Sequence, residues 1–99
     1  MFSIELHDKA ITKLCEKHKV ESLYLFGSAN SSNFNDTSDL DFLVKFKAFD
    51  LKLYFKNYIN FKESLKKLLN REIDLVEEQT LKNPILIRSI ERNKKLLYG

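Results

Sequence analysis

The sequence predicts an α/β or α+β domain in which helices pack against one β-sheet. Two observations lead to this prediction: three segments repeat apolar residues at helical spacing, and short apolar runs typical of strands lie between them. The chain has 99 residues, 43% of them hydrophobic and 12% aromatic, with only two glycines and one proline. This length and composition predict a single domain, residues 1–99, whose core needs no disulfides.

The helical pattern appears first from Ser3 to about His18 and again from Asp50 to Leu69, where Asp50 stands at the N-cap position. A third helix is predicted from Asn83-Pro84 to about Asn93. Proline is well tolerated at the first helical position, because the N–H that it lacks would have no partner inside the helix. The predicted apolar side of the second helix consists of Leu51, Phe55, Tyr58, Ile59, Leu65, Leu68 and Leu69.

Strands are predicted between and after these helices. Val20–Phe26 ends in a continuous apolar run, which predicts a strand buried on both faces. Asp39–Phe46, Arg71–Val76 and Lys95–Tyr98 are the other predicted strands. Residues 29–38 are polar and small, so a loop is predicted there, with room for one short helical turn.

Charge and cysteine content narrow the function classes. The 17 basic and 14 acidic residues leave a formal charge of +3, and the lysines are spread along helical segments. This spread favours solvated helix faces over a nucleic-acid surface, although the surplus suits an acidic partner or a polyphosphate. With one cysteine, Cys15, no internal disulfide can form, and no apolar run spans a bilayer, so a cytoplasmic protein without membrane contact is predicted.

Gly27-Ser28 follows the first buried strand directly. A glycine there lets the backbone approach a ligand closely, and Ser28 can offer its hydroxyl and its N–H to a phosphate. In isolation, a simple turn explains the pair better.

Asp39 and Asp41 are two residues apart on a predicted strand, so both carboxylates project from the same face. Two like charges side by side are unfavourable unless a cation lies between them, and Mg²⁺ prefers such oxygen ligands together with substrate phosphates. A solvent-exposed strand end is the structural alternative, and both interpretations remain open at this point.

Asp74 lies in the next predicted strand, where it shares a face with Glu72 and Val76. If that strand lies beside the one carrying Asp41, Asp74 completes an acidic triad. A phosphate-holding Gly-Ser and three carboxylates are the groups that metal-assisted nucleotidyl transfer requires, with the third carboxylate binding an ion or accepting a proton.

These motifs resemble those of the polymerase-beta-like nucleotidyltransferases, and the small size is similar to the minimal nucleotidyltransferase branch. The resemblance rests on Leu25-Phe26-Gly27-Ser28, Asp39-Leu40-Asp41-Phe42-Leu43-Val44, Glu72-Ile73-Asp74-Leu75-Val76 and the tail from Asn83-Pro84 to Tyr98-Gly99. Family members often continue Gly-Ser with an arginine and place a glycine a few residues later. This chain has Ala29-Asn30-Ser31-Ser32 instead, which changes its expected phosphate contacts.

The resemblance implies a mixed central sheet with helices packed against it and a role for each motif. Gly27 and Ser28 would hold the β- and γ-phosphates, while Asp39 and Asp41 would bind two Mg²⁺ ions. Asp74 would be the third metal ligand or the base. The implied reaction transfers a nucleoside monophosphate, AMP from ATP in the leading version, to a hydroxyl group and releases pyrophosphate.

The acceptor that the resemblance implies is a protein. Minimal nucleotidyltransferases are commonly paired with a helical HEPN-type toxin, which some of them neutralise by adding AMP to a tyrosine. One alternative is a module that neutralises a toxin by docking alone. Another is a subunit that modifies a small molecule such as an aminoglycoside, and template-directed synthesis is disfavoured because no domain remains to hold a nucleic acid.

Other conspicuous residues have structural interpretations. His7 and His18 have no second ligand in range and are predicted to be surface residues. The aromatic residues of the second helix are predicted to pack on the sheet, and any that the core cannot hold would mark a partner surface. They are Tyr54, Phe55, Tyr58 and Phe61.

Overall fold

The computed structural model describes residues 4–26, 39–48 and 50–99, and it contains every predicted helix and strand. The first predicted helix begins as a 3-10 turn at Ile4–His7 and becomes α-helical only at Asp8. The helices are α1 Asp8–Lys17, α2 Leu51–Leu69 and α3 Pro84–Asn93. The strands are β1 Val20–Phe26, β2 Leu40–Phe46, β3 Ile73–Glu77 and β4 Lys95–Tyr98, with a second 3-10 turn at Glu78–Thr80. The predicted loop over 29–38 lies outside the described residues.

The four strands form one mixed sheet in the order β3-β2-β1-β4. β1 is antiparallel to both β2 and β4, whereas β2 and β3 are parallel. Parallel neighbours need a long crossover, and the 19-residue helix α2 supplies it. The prediction of a mixed sheet with helices packed against it is confirmed.

Two of the three predicted helices begin with a side-chain cap, and the one at Asp50 was predicted. The Asp50 side chain accepts a hydrogen bond from the Lys52 backbone N–H at 2.9 Å. The Asn83 side chain accepts from the Ile85 N–H, also at 2.9 Å, and Pro84 is the first residue of α3. Each cap satisfies a backbone donor that has no partner inside the helix, which fixes where the helix begins.

The main core lies between α1, α2 and one face of the sheet, which we call the back face. Alternate residues of β2 point to it, and they interlock with residues one helical turn apart on α1 and α2. The fully buried side chains of this core are Phe42, Phe61, Ile11, Leu23, Leu40, Leu65, Val20, Val44 and Cys15. Burial raises the pKa of the Cys15 thiol to about 12, so Cys15 behaves as a small hydrophobic residue.

The predicted apolar side of α2 is partly wrong. Leu51 is 84% exposed, Phe55 is 73% exposed and Ile59 is 38% exposed. The other predicted residues of that side do contact the core, with Leu65 fully buried, and Phe61 next to them is fully buried as well. Two overlapping apolar stripes share this helix, and helical periodicity alone cannot decide which of them packs on the sheet.

The prediction that His18 lies at the surface is also wrong. His18 is only 6% exposed, and its Nδ1 lies 2.8 Å from the Leu14 carbonyl oxygen. Its ring packs against Phe61, with ring centroids 5.5 Å apart. The chain turns at Lys19, whose φ is 59°, and this turn places the end of α1 beneath α2. His7 is half-buried.

Burial of β1 on both faces is confirmed for only one of them. Leu23 and Leu25, on the back face, are buried, whereas Tyr24 and Phe26 point to the opposite face and are half-buried. We call this opposite face the front face. Of the three helices described, only α3 crosses it, and the Lys94 ammonium at its end lies 4.3 Å from the centre of the Tyr24 ring. Within residues 4–26, 39–48 and 50–99, the front face is therefore less covered than the back face.

Candidate active site on the front face

The parallel register of β2 and β3 places Asp41 directly opposite Asp74. Neighbouring strands are about 4.8 Å apart, so these two side chains are adjacent on the front face. The sequence left open whether β3 would lie beside β2, and the structure shows that it does. Asp41 is half-buried, and Asp74 is exposed.

Asp39 stands one residue before β2 and is exposed. Its charge acts on Asp41, as does the charge of Asp74. Asp39 and Asp74 therefore both lie close enough to Asp41 for their charges to act on it.

The electrostatics of Asp41 follow from this crowding. Burial raises the pKa of the Asp41 carboxyl above its ordinary value, and repulsion from Asp74 and then from Asp39 raises it further. Each cause penalises the ionised carboxylate. A bound divalent cation would offset this repulsion, so the ionised carboxylates are more stable with the cation than without it.

The donors that the front face offers to a metal ion are carboxylate oxygens. Within 4–26, 39–48 and 50–99, no three His, Cys, Asp or Glu side chains stand close enough to form a complete protein cage for an ion. Mg²⁺ rarely needs such a cage, because it usually binds one or two carboxylates and takes its other ligands from water and substrate phosphates. The Asp41 and Asp74 pair, with Asp39 next to it, fits that mode of binding.

Gly27 and Ser28, the predicted phosphate-binding residues, lie outside the described residues. β1 ends at Phe26, and Phe26 is paired with Asp41. Gly27 therefore follows directly in sequence the residue that lies opposite the central carboxylate.

Two tyrosines of α2 hold β3, a contribution that the sequence reasoning missed. The Tyr58 hydroxyl donates to the Leu75 carbonyl at 2.5 Å, and the Tyr54 hydroxyl donates to Glu77 at 2.7 Å. Because the Leu40 N–H donates to the Glu72 carbonyl, the alternation of a parallel ladder directs the Leu75 carbonyl to the outer edge of the sheet. The signal was the choice of tyrosine over phenylalanine at two positions one helical turn apart.

The front face also contains a cavity of about 200 Å³ beyond the carboxylates. Its floor is Leu43, which follows Asp41 by two residues in β2 and therefore points to the same face. The 3-10 turn and α3 form its walls. The sequence reasoning did not find this cavity, because the separation of α3 from the sheet depends on packing.

Sequence comparison identifies the family. The model of the family described as "Polymerase beta, Nucleotidyltransferase" matches residues 9–99. The chain belongs to the polymerase-beta-like nucleotidyltransferases. Two proteins of Methanocaldococcus jannaschii, both provisionally named protein adenylyltransferases, are each 36% identical to it, over 87 and 85 residues. Each alignment covers 86% of this chain and 82% of the relative. The chain is thus a nucleotidyltransferase of a family that includes protein adenylyltransferases.

Solved structures agree on the fold. A provisionally named minimal nucleotidyltransferase superposes with a TM-score of 0.75 at 28% identity, over 93% of this chain and 90% of the other. The MNT antitoxin bound to a tri-AMPylated HEPN toxin from Shewanella oneidensis superposes with a TM-score of 0.66 at 23% identity, over 98% and 73%. The first agrees with the assignment to the minimal branch, and the second shows the shared fold.

No helix among the described residues is both long and apolar enough to cross a bilayer.

Proposed function

We propose that this nucleotidyltransferase transfers AMP from ATP to a hydroxyl group of a partner protein in a Mg²⁺-dependent reaction. The observation that supports this proposal best is the position of Asp41 opposite Asp74, with Asp39 adjacent. Phosphoryl-type transfer depends mainly on positioning and charge stabilisation, and carboxylates converging on one sheet face can supply both through bound cations.

Each acidic residue has a separate role in the proposed reaction. Asp39 and Asp41 would hold Mg²⁺, which neutralises phosphate charge when it is bound. The acceptor oxygen attacks the α-phosphorus, the bond from that phosphorus to the bridging β-phosphate oxygen breaks, and pyrophosphate leaves with this oxygen. Asp74, the exposed member of the pair, would accept the hydroxyl proton or serve as a third ligand. Gly27 and Ser28 would hold the β- and γ-phosphates.

The acceptor that we propose is a HEPN-type toxin, which would make this chain the antitoxin. The relatives at 36% identity, named as protein adenylyltransferases, support a protein acceptor. The fold shared with an MNT antitoxin bound to an AMPylated HEPN toxin supports the class of partner. The two proteins would form a hetero-oligomer.

The test is the intact mass of the co-expressed product of the neighbouring gene, after incubation with this protein, Mg²⁺ and each nucleoside triphosphate in turn. With ATP we expect a gain of one or more AMP units. The gain should be lost in Asp39→Ala and Asp41→Ala, because both remove metal ligands. Asp8→Ala, which removes an exposed carboxylate from the first turn of α1, is the matched control and should keep the activity.

The alternatives predict other results. If wild type and Asp41→Ala bind the toxin equally tightly and neither changes its mass, the protein is a docking module and not an enzyme that acts on the toxin. Adenylation of an aminoglycoside in the absence of any protein acceptor would point to a small-molecule substrate instead.

A further inference from the structure

The cavity on the front face, which we call the front cavity, combines an apolar interior with two carboxylates. Its lining consists of Leu43, Leu81, Ile87, Ile90, Glu78 and Glu91. Ligand pockets for whole drug-sized molecules usually have volumes of about 300–1,000 Å³. A cavity of about 200 Å³ is smaller, so it matches one ring system of a ligand whose remainder lies outside.

The position of the front cavity relates it to the carboxylates. Leu43 is paired with Val76 in the same register in which Asp41 is paired with Asp74. Two residues along a strand correspond to about 7 Å, so the cavity floor is the next position of the front face after the carboxylates. A nucleotide whose α-phosphate lies at Asp41 has its base one ribose away, and the base can reach the cavity from there.

The chemistry of the lining selects for a neutral ring that carries a hydrogen-bond donor. Leu81, Ile87 and Ile90 offer apolar contacts to the faces of a ring, and the carboxylates of Glu78 and Glu91, whose charges both act on Lys94, offer hydrogen-bond acceptors. The Glu91 carboxylate already accepts a hydrogen bond from the Lys94 ammonium at 3.0 Å. Glu78 is therefore the carboxylate that we assign to the donor group of the ligand.

We propose that the front cavity holds the adenine base of the nucleotide, with Glu78 accepting a hydrogen bond from the exocyclic amino group. This inference rests on the proposed function and adds to it a site for the base. An aromatic side chain of the protein acceptor is the competing occupant, since a phenol also combines a flat ring with one donor. The nucleotide is favoured because the cavity lies one ribose away from the carboxylates.

The experiment measures equilibrium binding of three probes with Mg²⁺. The α,β-methylene analogue of ATP cannot be cleaved, inorganic tripolyphosphate has no base, and the corresponding inosine analogue lacks the amino group. Ile87→Trp fills the cavity from a half-buried position of α3, and Ile85→Trp makes the same change at a position that is 78% exposed. Glu78→Gln tests the carboxylate, with Glu63→Gln on the exposed side of α2 as its control. The thermal midpoint of each variant checks its folding.

For Ile87→Trp, we expect the Kd of the ATP analogue to rise by about tenfold or more, which is the effect of losing one well-packed ring. The Kd of tripolyphosphate should stay within about twofold, because it needs only the phosphate-binding residues, the carboxylates and the metal, none of which the substitution changes. For Glu78→Gln, the preference for the ATP analogue over the inosine analogue should fall at least about threefold. Both control variants should bind all three probes as the wild type does.

Equal binding of the ATP analogue by Ile87→Trp and Ile85→Trp would overturn the inference and leave the proposed function intact. If the KM for the protein acceptor rises in that case, the cavity belongs to the acceptor. If Ile87→Trp does not fold, an unchanged preference in Glu78→Gln overturns the inference by itself. A wild-type protein that binds neither the ATP analogue nor tripolyphosphate would remove the proposed function and the inference together.

Discussion

The two faces of the sheet differ in both burial and charge. On the back face, Phe42 of β2 and Phe61 of α2 are fully buried in a continuous apolar core. On the front face, Asp41 and Tyr24 are half-buried, and Asp74 is exposed. Of the three helices that the structure describes, α1 and α2 cover the back and α3 lies on the front, beside the cavity at Leu43.

This difference separates stability from chemistry. The back face removes large apolar side chains from water, which is the dominant favourable contribution to folding. The front face keeps together three carboxylates that repel one another, and this arrangement opposes folding until a cation is bound. Substitutions at the back should therefore change mainly stability, and substitutions at the front should change mainly ligand binding.

The largest expected effect is at the back face. Phe61→Ala should lower the free energy of unfolding by about 3–5 kcal/mol, because it leaves a cavity in a fully packed core. Phe55→Ala removes the same side chain from a position that is 73% exposed in the same helix, and it should change stability by less than about 0.5 kcal/mol. Urea unfolding of both variants measures the difference, and similar values would contradict the burial of α2 described above.

A smaller effect on stability is expected where α2 contacts β3, the edge strand of the sheet. Tyr58→Phe removes the hydroxyl that donates to the Leu75 carbonyl, and it should cost about 1 kcal/mol of stability. The substitution should speed amide exchange more in β3 than in β1, because only β3 loses a hydrogen bond to α2. Uniformly faster exchange in all strands would instead show that the hydroxyl stabilises the whole fold and not this edge.

The smallest effect is expected at the front face, and it has the opposite sign. The pKa of the Asp41 carboxyl is higher in the folded chain than its ordinary value of 3.8, so folding favours the protonated form. The resulting stability is fully present below the ordinary pKa and is lost as the pH rises through the folded pKa. Without metal at neutral pH, Asp41→Asn should therefore be more stable than the wild type.

The measurement is the thermal midpoint of wild type and Asp41→Asn across a pH series, with and without Mg²⁺. The advantage of the variant should grow as the pH rises above 3.8 and then level off. Mg²⁺ should reduce it, because the cation stabilises the charged form that only the wild type has. An advantage that does not change with pH would mean that the charge of Asp41 has no part in it.

The sequence by itself was sufficient for the features that depend on local chemistry. The bounds of β1, the N-cap at Asp50 and the start of α3 at Pro84 follow from turn chemistry and side-chain capping within a few residues. The Asp39 and Asp41 pair could likewise be proposed as candidates from its spacing in one segment. Asp74 could be added only on the condition that its strand lies beside that of Asp41, which spacing alone could not decide.

Only the tertiary structure decided which distant segments meet. The parallel register of β2 and β3 places Asp74 opposite Asp41 across a crossover helix, and no local pattern contains that register. The same holds for the burial of His18, for the choice between the two apolar stripes of α2, and for the gap between Leu43 and α3. Each of these results from packing between elements that are far apart in sequence, because side-chain volumes and chain crossings are settled only when the whole core assembles.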